Sequence, residues 1–309
     1  MPYFLIFFLL FAETPPSSRK MAITIDDLPT VTRPNDYATA LKCTQNILQN
    51  LTEAKVPAIG FVNEIKLENE GVLDEKRIEL LQMWLDAGME LGNHAWSHMD
   101  YHNNEMEAFG ADIQKGERVT RKLVENSGGK FRYFRHPYLH TGDSPEKQAA
   151  LRAFLKKHKY IEAPVTVDNS EWIYARAYEN ALQTGNQNLI DSVGQSYMAY
   201  MEAKIVWYEQ QSRKLFGYEI RQILLIHANL INADYLDDLI RMMKNRGYEI
   251  VTLSEALKDR AYKTESTYTG RGGISWLDRW ALSKGYKGDF FKGEPHLSEF
   301  VQDLAGIRE

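Results

Sequence analysis

Cysteine is nearly absent from this chain: Cys43 is the single one in 309 residues. No intrachain disulfide can form, and a zinc site built on thiolates is excluded. Dense basic stretches are missing too, since 37 Lys and Arg stand against 42 Asp and Glu for a net charge of −5. Nucleic acid is thereby excluded as a partner, because binding phosphates needs a clustered positive surface. There is no GxGxxG and no phosphate-loop motif, so no nucleotide cradle is encoded. The apolar run Tyr3–Ala12 has ten residues, about half of what a membrane-spanning helix needs, so no stable membrane span is expected. Its length suits the apolar region of a secretory signal with Ala12 as a weak cleavage position. Residues 1–20 are therefore expected to be a signal peptide and the protein exported, periplasmic or extracellular, or cytoplasmic if the run is not a signal.

What is present is ordinary globular composition, 44% hydrophobic and 26% charged, at a length that fits one α/β barrel. Strand-like stretches recur at Met21–Asp26, Val56–Val62, Met89–Asn93, Tyr133–His136, Ile161–Asp168, Ile223–Ala228 and Tyr248–Leu253. Helical spacing lies between them, first at Leu41, Ile47, Leu48 and Leu51, then at Ile78, Leu81, Trp84 and Leu85, and later over Met106–Asn126, Pro145–His158 and Asp234–Asn245. Seven strands separated by helices predict a mostly parallel sheet, closed or nearly closed into a (β/α) barrel, over residues 21–257. Residues 174–217 form a helical insertion, with Tyr197, Tyr200, Met201, Lys204, Trp207 and Tyr208 as one packed face. An irregular C-terminal extension, residues 258–309, is stapled to the barrel by Trp276 and Trp280. Gly142–Ser144 reads as a helix cap rather than a hydrolase nucleophile.

Chemically capable side chains collect at the C-terminal ends of these strands, where β/α barrels build their sites. Asp26 and Asp27 end the first strand, ahead of Pro29. His94 follows the third, Arg135 lies in the fourth, Asp168 ends the fifth and His227 the sixth. His94 and His98, four apart, are expected on one face of a helical turn, a spacing that grips a metal ion. Two imidazoles and one carboxylate make a three-ligand site whose open position takes a water of lowered pKa. The other carboxylate is then free to accept that water's proton. Spacing alone leaves open which aspartate does which. His102 is read as a surface or cap residue.

Five fragments in order along the chain, Thr24–Pro29 (TIDDLP), Asn93–His98 (NHAWSH), Arg135–Tyr138 (RHPY), Val167–Trp172 (VDNSEW) and Leu225–His227 (LIH), resemble the polysaccharide deacetylases of the NodB-homology type, carbohydrate esterase family four. The resemblance runs from about Met21 to Leu257. It implies a metal-dependent deacetylase on a distorted (β/α) barrel in which Asp27, His94 and His98 hold a divalent ion, zinc first and cobalt or nickel next, with Asp26 as general base. It further implies that Arg135 orients Asp26, that the Tyr138 N–H stabilises the oxyanion, and that His227 is the general acid. Asp168 would tune either Arg135 or His227, and Trp172 would wall the cleft beside the acetyl group. Leu28, Ala95, Met99, Glu171 and Ala228 depart from the family pattern, which marks a divergent member.

The expected activity is removal of N- or O-linked acetyl groups from a polysaccharide or cell-wall glycan, the acetylated glycan being the expected partner. Two alternatives stand beside it: hydrolysis of a small non-sugar amide or cyclic imide, and non-catalytic glycan binding.

Overall fold

The computed structural model describes residues 19–309. Strand β1 (Arg19–Leu28) begins two residues inside the expected signal segment, and the rest of that segment lies outside the described residues. Met21, Ala22, Ile23, Thr24 and Ile25 are all buried, the continuous apolar run of a strand covered on both faces. Around it lie β2 (Ala58–Val62), a small antiparallel hairpin of β3 (Glu68–Asn69) and β4 (Val72–Leu73), β5 (Glu90–Asn93), β6 (Tyr133–Phe134), β7 (Ile161–Glu162), β8 (Gln222–His227) and β9 (Tyr248–Ile250). Seven of these form one parallel sheet in the order β7-β6-β5-β2-β1-β8, with β9 beside the start of β1. The sheet curls far enough that Val167, beyond β7, bridges Leu224 of β8 in parallel. This is the mostly parallel barrel expected from the alternation of elements, distorted as the resemblance implies. The expected strand Ile161–Asp168 is paired as a ladder only at its start, because Pro164 has no N–H to offer.

The helices are α1 (Tyr37–Ala54), α2 (Glu75–Asp86), α3 (Met106–Lys115), α4 (Thr120–Asn126), α5 (Pro145–Lys157), α6 (Glu171–Thr184), α7 (Gln187–Phe216), α8 (Leu230–Asn245), α9 (Leu253–Ala256), α10 (Trp276–Ser283) and α11 (Glu299–Ala305). Ser144 caps α5, its hydroxyl accepting from the Lys147 N–H at 3.2 Å. The single helix expected over 106–126 is two, α3 and α4, broken at Gly116. A Cβ at Gly116 would sit 2.6 Å from main-chain atoms of Ala95 and Trp96, so the helix end is pressed against the loop that follows β5. In α7, Tyr197, Tyr200, Met201, Lys204, Trp207 and Tyr208 are buried as one stripe. The Lys204 ammonium pairs with Glu294 of the C-terminal extension. Trp276 and Trp280 are buried, and the Trp276 N–H donates to the Val165 carbonyl at 2.7 Å.

Candidate active site

Neighbouring strand residues point to opposite faces, so Asp26 and Asp27 could not share a site on a regular β1. The strand breaks regularity there. Its register with β2 shifts between Ile25 and Leu28, and Asp27 takes φ 71°, a left-handed conformation that Asp adopts more readily than most residues. The irregularity brings the second carboxylate back beside the first. Asp26 is held by Arg135, whose Nη1 lies 3.2 and 3.1 Å from its two oxygens. Arg135 is fully buried and spends its other donors on Thr24 Oγ1 at 2.9 Å and the Ala163 carbonyl at 2.8 Å.

His94 and His98 do not lie on a helical turn. The segment after β5 is a loop in which Ala95 (φ 62°) and His98 (φ 58°) are left-handed, and these two reversals turn both rings to one side. Asn93 braces the loop by accepting the Ala95 N–H at 2.7 Å and donating to the Ile113 carbonyl at 2.9 Å. Asn63 donates to the His94 carbonyl at 2.7 Å. The His94 Nδ1–H donates to the Arg135 carbonyl at 2.9 Å, which fixes the tautomer and leaves the Nε2 lone pair facing the carboxylates. That nitrogen lies 3.6 Å from Asp26 Oδ2 and 3.8 Å from Asp27 Oδ1, and His98 Nε2 lies 3.7 Å from Asp27 Oδ1.

The donor set fits a divalent ion. Burial pushes the pKa of His94 down to about 3 and that of His98 down to about 4, so both rings are neutral ligands near pH 7. Burial acts to raise Asp27, but Lys66, His98, His227 and His94 outweigh it and hold the carboxyl well below the usual range. Asp27 Oδ1 is buried without a hydrogen-bond partner, and one donor atom each from Asp27, His94 and His98 lies within 4.8 Å of the others. A buried carboxylate oxygen with no hydrogen-bond donor, facing two imidazole nitrogens, fits an oxygen–nitrogen cation site. Asp26 behaves oppositely: burial raises its pKa although Arg135 opposes the rise.

These residues open into a cleft of about 640 Å³ that also exposes Tyr138, Asp168, Trp172 and His227. Tyr138 (φ 55°, ψ 14°) sits against His98, ring centroids 4.4 Å apart. Trp172 is half exposed on the cleft wall. His227 pairs in register with Asp26 across β1 and β8, and its Nδ1–H donates to Glu171 Oε2 at 2.8 Å. Burial works against the charged ring, but Glu171 outweighs it and pushes the His227 pKa up to about 9. Asp168 does not contact His227. Its carboxylate accepts the Asn169 N–H at 2.9 Å, burial pushes its pKa up to about 6, and its influence on Arg135 is through charge alone.

Two residues at the site were not singled out for it from the sequence. Glu171, noted there only as a departure, is the fully buried partner of His227; its place next to Trp172 in the fourth fragment was the available signal. Lys66 donates to the Asp27 carbonyl at 2.8 Å and lies 3.6 Å from Oδ1, and no local pattern in the sequence pointed to it.

Residues 13–156 match the model of the polysaccharide deacetylase family. Among solved structures, a mutant of a CE4 family pseudoenzyme with restored enzymatic activity is 19% identical at TM-score 0.51, covering 79% of this chain and 69% of its own. The wild-type form of that pseudoenzyme is from Bacillus anthracis. The peptidoglycan deacetylase PdaC from Bacillus subtilis is 23% identical at TM-score 0.50, covering 79% and 93%. An acetyl xylan esterase of family 4 from Clostridium thermocellum, in complex with a cobalt ion, is 21% identical at TM-score 0.50, covering 78% and 91%. At these identities the structural likeness speaks for the fold. A comparison with curated proteins finds no match. Over residues 13–156 the chain thus resembles the polysaccharide deacetylases, and its departures from the pattern are consistent with a divergent member.

Proposed function

We propose that this relative of the polysaccharide deacetylases is a divalent-metal-dependent hydrolase that removes N- or O-linked acetyl groups from a glycan. The observation that carries the reading is the cluster of Asp26, Asp27, His94 and His98, with one carboxylate poised to accept a proton and the other kept ionised beside two neutral imidazoles. Asp27, His94 and His98 would hold the ion, zinc by donor type. When bound, such an ion would supply Lewis-acid chemistry and positive charge to stabilise the oxyanion. Asp26 accepts the proton of the attacking water, and the Arg135 fork keeps its oxygens turned into the cleft. Glu171 holds His227 protonated through neutral pH, which suits it to hand a proton to the leaving amine or alcohol. The Tyr138 N–H is assigned to the oxyanion and Trp172 to the face of the sugar.

The test is acetate release by the full chain from acetylated chitooligosaccharides, xylan and peptidoglycan, with chelator and then with zinc restored. Release that stops with chelator and returns with zinc supports the reading. Turnover of small cyclic imides with none of the sugars would replace the substrate class. Sugar binding without turnover under zinc, cobalt or nickel would make the protein a glycan binder. In Asp26→Asn, turnover is expected to vanish with zinc still bound, and undiminished turnover would refute the assignment of the base.

A further inference from the structure

A second group of metal-capable side chains lies beside the Tyr138 ring, which contacts both His98 and His140. Asp100 caps the short turn Tyr101–Asn103, with Oδ1 accepting the His102 N–H at 2.9 Å and Oδ2 accepting from Asn103 Nδ2 at 2.6 Å. The same Oδ1 accepts from His140 Nδ1 at 2.6 Å. The rings of His102 and His140 lie face to face, centroids 3.7 Å apart and planes within 5°. One donor atom from each of Asp100, His102 and His140 lies within 4.8 Å of the others. His102, expected to be a surface or cap residue, is only 6% exposed, and neither of its ring nitrogens has a hydrogen-bond partner. A buried neutral imidazole with both its donor and its acceptor unmatched needs a ligand more than most packed histidines do.

We propose that Asp100, His102 and His140 form a second divalent transition-metal site, which clamps the loop carrying His98 to the loop carrying Tyr138. Two imidazoles and a carboxylate suit zinc, cobalt or nickel rather than calcium or magnesium, which prefer all-oxygen shells. The surrounding charge supports the same choice. Asp143 lies close by, but its carboxylate is paired with Lys147 at 3.6 Å, and the Lys147 ammonium also donates to the His102 carbonyl at 3.0 Å. The Arg279 guanidinium donates to Thr141 Oγ1 at 2.9 Å and to the Leu139 carbonyl. With cations and anions balanced, the ligand bonds themselves must carry the affinity. His140 lines the catalytic cleft, so an ion can reach the group from there. Donors on one tetrahedral zinc lie roughly 3.3 Å apart, given bonds of about 2.0–2.1 Å. Because in-plane lone pairs of parallel rings do not converge, binding must splay the His102–His140 stack.

The site is separable from the one formed by Asp27, His94 and His98. Chelator-stripped full chain, dialysed against zinc and assayed for bound metal, is expected to retain two equivalents. His102→Ala and His94→Ala should each lose one and keep the other. Asp100→Asn preserves the turn cap while removing the charge, so it should weaken one equivalent at least tenfold and leave the second unchanged. One equivalent in the wild type that His102→Ala keeps, or two held undiminished in both the His102 and Asp100 variants, overturns the proposal. If wild type and His94→Ala both bind a single equivalent that His102→Ala loses, this second site stands while the metal reading of the first falls.

Discussion

Replacing Glu171 by Gln isolates the interaction that holds His227 charged. Glu171 is fully buried and accepts from His227 Nδ1 at 2.8 Å, from Asn232 Nδ2 at 2.6 Å and from Asn229 Nδ2. Gln keeps the shape and one acceptor oxygen but not the charge. That charge helps to push the His227 pKa up from the ordinary 6.5 to about 9. A rise of that size corresponds to about 3–4 kcal/mol at most between the two protonation states. Since burial alone would lower the ring, losing the carboxylate should bring the pKa to 6.5 or below. A pKa raised on folding contributes stability that is fully present below pH 6.5 and is lost as pH rises through about 9. Glu171→Gln should therefore lose up to that amount near pH 6 and little above pH 10. The direct assay is the His227 ring resonance in labelled full chain, assigned by its loss in His227→Gln and followed with pH. A ring that still titrates above about 8 in Glu171→Gln would refute the reasoning and give the main role to Asp26 and Asp27, whose charges also act on it.

Arg135→Leu leaves the buried Asp26 charge without its fork and should cost about 3–5 kcal/mol in urea denaturation; a loss below 1 kcal/mol, on the order of an exposed pair, would show that the pair is not what stabilises Asp26. Lys66→Met removes a cation 3.6 Å from Asp27 Oδ1, and zinc affinity by calorimetry should rise about tenfold, the low end of a charge pair at that separation; unchanged or weaker binding would mean that Lys66 serves the ligand's geometry instead. A Cβ at Gly273 would lie 1.8 Å from the Tyr138 carbonyl, so Gly273→Ala should shift the Tyr138 loop and lower kcat of the confirmed activity by tenfold or more with the fold intact; wild-type kcat would show that the extension does not position that loop.

The parts of this molecule that could be read from sequence are those with a local signature. Continuous apolar stretches such as Met21–Ile25 announced buried parallel strands, and the stripe from Tyr197 to Tyr208 announced a packed helix face. The side chains of the site were legible because they recur at strand ends, but the way they converge was not. Helical spacing suggested a turn for His94 and His98, whereas left-handed residues at Ala95 and His98 do the turning, and Asn93, Asn63 and Gly116 in the surrounding structure support that loop. Pairings across long separations leave no periodic trace. Glu171 meets His227 56 positions away, and His102 stacks on His140 with no pattern linking their fragments.

Two adjacent carboxylates can serve one reaction only if their surroundings drive them apart. Asp26 and Asp27 share a strand end and a cleft, yet burial raises one while Lys66 and the imidazoles lower the other. The difference comes from what faces each carboxylate. Arg135, the cation that bonds Asp26 directly, is itself fully buried and divides its donors among Thr24, Ala163 and Asp26, and even with His227 acting beside it burial prevails. Asp27 faces an ammonium and two rings at 3.6–3.8 Å. A binding protein that had abandoned turnover would have no use for this division of labour, since two ionised carboxylates would hold a cation at least as well. On the proposed hydrolysis, the arrangement would keep Asp26 available as a proton acceptor at the cost of a buried charge, a cost that ligand binding alone would not require.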